Sequence, residues 1–380
     1  MKILHVCLAS SYTDGMTYQD NMLAEQNVAD GHEVMVVSDC THFENGKIVQ
    51  TLPEDRVLIS GVRLVRLPFD FILTGFFSNK LRKTKLLRPL LEQFAPDVIL
   101  FHGCAGWELI TVAKYKKNNP HIKLYVDSHE DFNNSARNWL SKNILHRLIY
   151  GPIIRYAYPY LDKLLYLSEE TKDFLVGLYK LPAGKLEFYP LGGVVHSIED
   201  WTAMRAKKRA ELGLRDEDVL LCHSGKMDSL KRTKDILLAL SQASSERIRL
   251  IIIGNIPDEM KPVLEPMIAA DERVSFLGWK NGDELMAYLC ACDMYVQPGS
   301  QSATMQNAIC CGAPVLLYPH KSYKHFIKGN CWYVETTEEM TAVFSAVSAN
   351  PEILKEKGKN SFSMANELLD YKKLAARLYK

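Results

Sequence analysis

Two segments in the second half of the chain carry residue types suited to holding an anion. In the run from His223 through Gly225, Lys226, Lys231, Arg232 and Lys234 to Asp235, a strand ends, a glycine turns the chain, and four cations cluster where a helix begins. Cations beside a helix N-terminus make a site for a diphosphate. The plain alternative is a solvated basic turn. Gly225 at the strand end favours the site, because ligands of open α/β sheets bind at the carboxyl ends of the strands. The second segment runs from Tyr295 through Pro298, Gly299, Gln301, Ser302, Ala303 and Thr304 to Asn307. A strand ends in a proline turn, and small and hydroxyl residues lead into a helix, again a cradle of backbone N–H groups. Asn307 falls about one turn into that helix, where its amide could contact ribose hydroxyls.

Two loops in the first half are candidates on the same reasoning. After an expected strand at Lys123–Val126 come Asp127, Ser128, His129, Glu130 and Asp131. A histidine among three acids at a strand end is not a core residue, and the carboxylates can set its tautomer. Asp127 or Ser128 could equally cap a helix, and both roles can hold at once. After the first strand, residues 10–16 lack G-x-G-x-x-G, so the dinucleotide fingerprint is absent and a nicotinamide dehydrogenase is disfavoured. Gly15, just before a helix, either lets backbone approach a ligand or simply starts that helix.

The elements that must position these loops alternate along the chain. Strands are expected at Ile3–Leu8, Val34–Val37, Asp97–Phe101, Lys123–Val126, Lys163–Leu167 and Leu186–Tyr189, with shorter irregular strands across Asn45–Arg66. Helical spacing marks Met16–Ala29, ended by Gly31, and Trp107–Tyr115. The pattern then restarts, with strands at Val219–His223, Arg249–Ile253, Val274–Leu277, Met294–Gln297 and Pro314–Leu317. Helices are expected at Thr233–Ala243, Gly282–Ala291 and Met305–Cys311. Two successive β-α series imply two doubly wound parallel sheets, and 380 residues exceed one ordinary core. The weakest structure is expected at Pro190–Ala206, where a hinge is placed.

Composition narrows the partners. Lys plus Arg number 46 against 45 Asp plus Glu, so there is no basic excess for a nucleic acid. Nine cysteines, none in C-x-x-C spacing, read as small buried residues of a reducing cytosol. No apolar run approaches the roughly 20 residues of a membrane span, which implies a cytoplasmic protein. Asp216-Glu-Asp218, the only acidic D-x-D, reads as solvated surface, and no metal site is expected.

Taken in order, these segments resemble the GT-B glycosyltransferases, specifically the retaining group 1 (family four-like) class that uses nucleotide-sugars. The resemblance rests on Gly31 to Val34, Tyr125 to Glu130, Leu167 to Glu169, Gly225-Lys226 with Lys231 five positions on, Phe276 to Trp279, Ala291 to Asp293, and Asn307 through Gly312 to Pro314. It implies two Rossmann-like domains facing across a cleft. Residues 1–195 would form the acceptor-side domain, 196–360 the nucleotide-sugar-binding domain, and 361–380 a helix packing back on the first. It implies that Lys226 and Lys231 hold the donor diphosphate and stabilise its developing charge, with His129 near the sugar. Gly15, Gly225, Gln301, Ser302, Ala303, Thr304 and Asn307 complete the expected donor set. The nucleotide-sugar, UDP foremost, is a substrate, and neither cofactor nor metal is required. The acceptor would be a glycan or a lipid-linked molecule in surface polysaccharide or glycolipid synthesis. One departure stands out: the two glutamates of the family's donor loop fall at Gly299 and Asn307. An epimerase or a non-catalytic nucleotide-sugar binder on the same fold are the alternatives.

On the acceptor side, apolar Phe69–Phe77 precedes five cations between Asn79 and Arg88. On one helix, Leu81, Leu87, Leu90, Leu91 and Phe94 would share a face. Across 69–91 such a stretch suits the inner face of an anionic membrane; the alternative is a surface helix packing its leucines inward. Arg137–Tyr160 reads as helical core, and Asn360–Lys380 as one helix with a basic end.

Overall fold

The computed structural model of the protein describes residues 1–44 and 47–380 and divides into two units, Met1–Pro190 with Tyr371–Lys380, and Leu191–Asp370. Asn45, where the expected irregular strands begin, lies outside the described residues.

Among the described residues the first unit holds ten strands: β1 (Lys2–Cys7), β2 (Glu33–Asp39), β3 (Thr41–Glu44), β4 (Lys47–Gln50), β5 (Glu54–Val57), β6 (Arg63–Leu67), β7 (Val98–Phe101), β8 (Lys123–Ser128), β9 (Lys163–Tyr166) and β10 (Leu186–Phe188). Eight form one sheet in the order β10-β9-β8-β7-β1-β2-β6-β5, parallel except for β5, while β3 and β4 make a separate hairpin. Alternate residues of β1 feed different cores. Leu4 and Val6 pack with Met35, Val37 and Ile99, whereas Ile3 packs with Leu23, Val98 and Tyr189. A strand covered on both faces must be apolar throughout, which is why these runs are legible. Tyr371, Leu374 and Leu378 complete the Ile3 cluster, and Tyr189 donates its hydroxyl to the Leu374 carbonyl at 2.8 Å.

The second unit holds β11 (Val219–Lys226), β12 (Ile248–Asn255), β13 (Val274–Phe276), β14 (Met294–Gln297), β15 (Val315–Leu317) and β16 (Cys331–Tyr333), all parallel, ordered β13-β12-β11-β14-β15-β16. Strand order reverses between β11 and β14, so the crevice outside their carboxyl ends is where this architecture takes a ligand.

Several expectations are corrected. Residues 198–206 are not loose: Ile198–Glu211 is a helix whose first turn is capped by Ser197, its hydroxyl accepting from Asp200 N at 3.0 Å. The stretch after Asn79 is two helices, Gly75–Leu81 and Leu87–Phe94, separated where Arg82 turns left-handed at φ 53°. Leu87, Leu91 and Phe94 pack into the first core. Arg137–Tyr160 is helical over Ser141–Ala157, but Trp139, Leu140, Ile144 and Leu148 face outward. The final segment is broken at Asp370, which pairs with Gly193; a helix ending at Met364 and a π-helical turn Ala365–Leu369 precede it, and Tyr371–Ala376 is a separate helix. Asp218 is buried rather than solvated, because Arg215 pairs with it and its carboxylate accepts from Arg215 N at 2.9 Å. All nine cysteines are free thiols.

Candidate functional site

At the carboxyl end of β11, Gly225 sits at φ 128° beside Gly254 of β12 at φ 138°. A Cβ on Gly225 would lie 3.1 Å from Lys231 Cε, and one on Gly254 would meet the Gly225 carbonyl oxygen at 1.9 Å. Gly225 therefore leaves room for the Lys231 stem to lie across the strand end, and Gly254 lets the two strand ends approach. The short turn Ser229–Lys231 is held by Asp228, whose carboxylate accepts from Leu230 N and Lys231 N at 3.1 and 3.2 Å. Lys231 is only 8% exposed, and its ammonium has the Gln301 carbonyl at 3.5 Å. Burial pulls its pKa below the usual lysine range, against the opposing pull of Asp228. Among the described residues no carboxylate lies within ion-pair distance of it. Lys226, at the last position of β11, is exposed. Arg232 serves the scaffold instead, donating to Asp235 at 2.6 Å and to the Pro298 carbonyl at 3.2 Å.

The loop after β14 is locked against that turn. Ser300 N donates to the Leu230 carbonyl at 2.8 Å, and a Cβ on Gly299 would stand 2.1 Å from the same oxygen. Gln297 ties the loop from below, accepting from the Tyr295 hydroxyl at 3.2 Å and donating to the Ser300 carbonyl at 2.5 Å. His320 donates from Nε2 to the Gly299 carbonyl at 3.0 Å. Gln301 and Ala303 are exposed, Ser302 and Thr304 half-buried, and the helix Thr304–Cys310 begins without a side-chain cap. Asn307 is half-buried, and a Cβ on Gly193 would come 3.0 Å from its Oδ1. His223 is a core residue: Nδ1 donates to the Val296 carbonyl at 2.7 Å and Nε2 accepts from Thr233 at 3.0 Å, with burial pushing its pKa down to about 4. The second unit thus brings Gly225, Lys231 and Gln301 together at the β11–β14 reversal.

In the first unit His129 follows β8, its side chain 45% exposed and its Nε2 3.5 Å from Asp127 Oδ1. The loop is anchored on both sides. Asp127 pairs with His102 Nδ1 at 2.7 Å and accepts from Gly103 N at 2.7 Å. Glu130 accepts from the Cys104 thiol at 2.9 Å and the Tyr179 hydroxyl at 3.0 Å, and Tyr179 meets His146 Nδ1 at 2.8 Å. Burial raises the pKa of both Cys104 and Tyr179, so both stay protonated donors. Asn134 donates to the His129 carbonyl at 2.8 Å. Gly15 sits in an exposed turn after β1 at φ 74°; the helix expected to open there starts only at Gln19.

Sequence reasoning missed His5, His102, Cys104, His146 and Tyr179. The available signal was positional: His102 follows β7, beside the β1–β7 reversal, as His129 follows the adjoining β8, each at a strand's carboxyl end. Among the described residues no group of His, Cys, Asp or Glu could hold a metal ion, and no helix is long and apolar enough to cross a membrane.

Comparison with known proteins gives two family matches. Residues 15–192 match "Glycosyltransferase Family 4" and residues 204–363 match "Glycosyl transferases group 1". No curated protein matches the chain. Among solved structures, Anabaena Alr3699/HepE in complex with UDP is 14% identical, with a TM-score of 0.65 over 99% of this chain and 98% of that one. Sucrose-phosphate synthase from Thermosynechococcus elongatus is 15% identical, at 0.66 over 99% and 97%. WaaG, a glycosyltransferase involved in lipopolysaccharide biosynthesis, is 15% identical, at 0.61 over all of both chains. At these identities the likeness is one of fold, and the fold is GT-B.

Proposed function

Because the chain belongs to the group 1 glycosyltransferases, we propose that it moves a sugar from a nucleotide-diphosphate donor, UDP foremost, to a glycan or lipid-linked acceptor, with retention of configuration and without a metal ion. The observation that carries this reading is the Lys231 ammonium, buried at the β11–β14 reversal with no carboxylate beside it among the described residues. A buried charge without a counter-charge is costly, and a diphosphate would supply one. As the sugar bond breaks, charge grows on the departing diphosphate. Lys231 and Lys226, with the amides of Gln301 to Thr304, stabilise it there; Asn307 takes the ribose, and His129 serves the transferred sugar. The test is incubation with radiolabelled UDP-sugars in EDTA. Label is expected in acceptor or, without acceptor, in free sugar. Donor binding with neither transfer nor hydrolysis would leave a binder only, and loss of turnover in EDTA would sink the metal-free mechanism.

The lipid-linked acceptor is favoured by a specific surface on the first unit. Phe71 is 79% exposed, and Leu73, Phe76 and Phe77 are exposed beside it. Leu148, 70% exposed, and Ile144 are exposed on the helical stretch Ser141–Ala157, with exposed Trp139 and Leu140 just before it. Tyr150 donates to the Lys80 carbonyl at 2.6 Å and joins the two elements. Lys80, Lys83, Lys85, Lys142 and Arg147 surround them, a pattern suited to anionic lipid. Arg82 is excluded from that set because it donates to the Ala105 carbonyl at 2.8 Å. Vesicles of phosphatidylglycerol are expected to float the protein, and Lys80→Glu with Lys83→Glu and Lys85→Glu to abolish flotation. Undiminished flotation of the triple variant refutes the surface.

A further inference from the structure

Behind His129 runs a buried chain of polar side chains that the donor chemistry does not use. Asn27 Oδ1 lies 2.8 Å from His5 Nε2, His5 Nδ1 lies 3.0 Å from His102 Nε2, and His102 Nδ1 lies 2.7 Å from Asp127 Oδ2. His5 comes from β1, Asn27 from the helix Gln19–Ala29, His102 from the end of β7 and Asp127 from β8. All four are buried, and the two imidazole rings lie edge to edge, 14° from coplanar, with centroids 5.3 Å apart.

With the Asn27 amide oxygen turned toward His5, the hydrogens along this chain follow from its ends. The Asn27 carbonyl oxygen only accepts, so His5 carries its hydrogen on Nε2. Neutral His5 then offers a lone pair at Nδ1, and His102 Nε2 must donate to it. The Asp127 carboxylate also only accepts, so His102 Nδ1 carries a hydrogen as well. His102 is therefore an imidazolium between two acceptors. Burial pushes the His5 pKa down to about 3, aided by His102, which keeps it neutral. For His102 burial opposes the charge, but the Asp127 carboxylate outweighs it and the pKa is raised. Rotating the Asn27 amide would reverse the Asn27–His5 and His5–His102 bonds, keep the His102 Nδ1 donation to Asp127, and leave both imidazoles neutral.

We propose that His102, held cationic between His5 and Asp127, and His5, held neutral by Asn27, are positioning residues for His129. The proposal rests on the reading of His129 as the group that serves the transferred sugar. His102 fixes one oxygen of Asp127; the Gly103 amide and His129 Nε2 face the other. With His102 neutral, Asp127 would be a buried anion that has lost its closest counter-charge, readier to take up a proton and turn from acceptor to donor. The ring of His129 would then lose its fixed neighbour. The other ionisable groups acting on this chain are Asp20 on His102, the Cys7 and Cys104 thiols and the Tyr189 hydroxyl on Asp127, and the Tyr379 hydroxyl on Asn27.

Long-range proton–nitrogen NMR of the full chain labelled at histidine nitrogens reads the assignment directly. At neutral pH His102 is expected to show two protonated nitrogens and His5 a hydrogen on Nε2 alone. A neutral His102 overturns the proposal, and because this is the unaltered protein, no variant need fold for it to be decided. Asn27→Leu removes the acceptor and is expected to neutralise His102 and lower kcat for donor hydrolysis by about 10- to 100-fold, the scale of a small misplacement of a reacting group, with KM for the donor unchanged. Full kcat in Asn27→Leu while His129→Ala is inactive overturns the positioning role alone. Full activity of His129→Ala sinks the underlying reading of His129 instead.

Discussion

Replacing Gly299 by glutamate, the residue the group 1 pattern would place there, is expected to abolish UDP binding rather than to restore a lost function. A Cβ at this position would meet Leu230 O at 2.1 Å, Lys231 C at 2.7 Å and Lys231 O at 2.8 Å. Every one of these atoms is main chain, so no side-chain rotation relieves the collision. The turn that carries Lys231 must move away, breaking the Ser300 N to Leu230 O bond. Overpacking of this kind costs about 1–3 kcal/mol or more, and Gly299→Ala should share most of the effect. Calorimetric titration with UDP and thermal unfolding check both variants. Wild-type affinity in Gly299→Ala would show that the two loops yield without consequence.

Lys231→Met is expected to weaken UDP binding by about 10- to 150-fold, the worth of a hydrogen bond to a charged group at about 1.5–3 kcal/mol. Methionine keeps the apolar stem over Gly225 and removes only the charge. The free protein should not lose stability, because a buried ammonium without a carboxylate is a cost in the empty state. The pH dependence has a definite sign. The folded pKa of Lys231 lies below the unfolded 10.5, so between the two the unfolded chain binds more protons and folding stability rises with pH. UDP affinity falls over the same alkaline window as the ammonium discharges. Both trends should vanish in Lys231→Met. Denaturation and titration across alkaline pH decide it, and an unchanged UDP affinity in the variant would refute the diphosphate site.

The parts of the fold that were legible are those where burial dictates residue type. Met294–Gln297 and Gly282–Ala291 are found with the expected bounds, since a strand covered on both faces and a capped helix each leave a pattern. Ile198–Glu211 was missed because none of its residues is buried, so it has no apolar stripe. Its one signal was the Ser197 cap with acids in the first turn. The break at Arg82 was illegible because a left-handed arginine is neither glycine nor proline. At the site, the two loops of the second unit could be read from glycine, cations and strand ends. Gly299 looked like a missing carboxylate in the sequence; only the packing shows that main chain occupies the space. The histidine chain was hidden because His5 and His102 lie 97 residues apart, each at an apolar strand.

The cluster that Tyr371, Leu374 and Leu378 complete beneath Ile3 and Tyr189 has a consequence for biosynthesis. All of Leu191–Asp370 must be translated before those residues exist. At about 5–20 residues per second, translation of that intervening stretch takes roughly ten to forty seconds. Throughout that interval the nascent first unit carries an uncovered apolar face, a target for holdase chaperones until the last helix arrives.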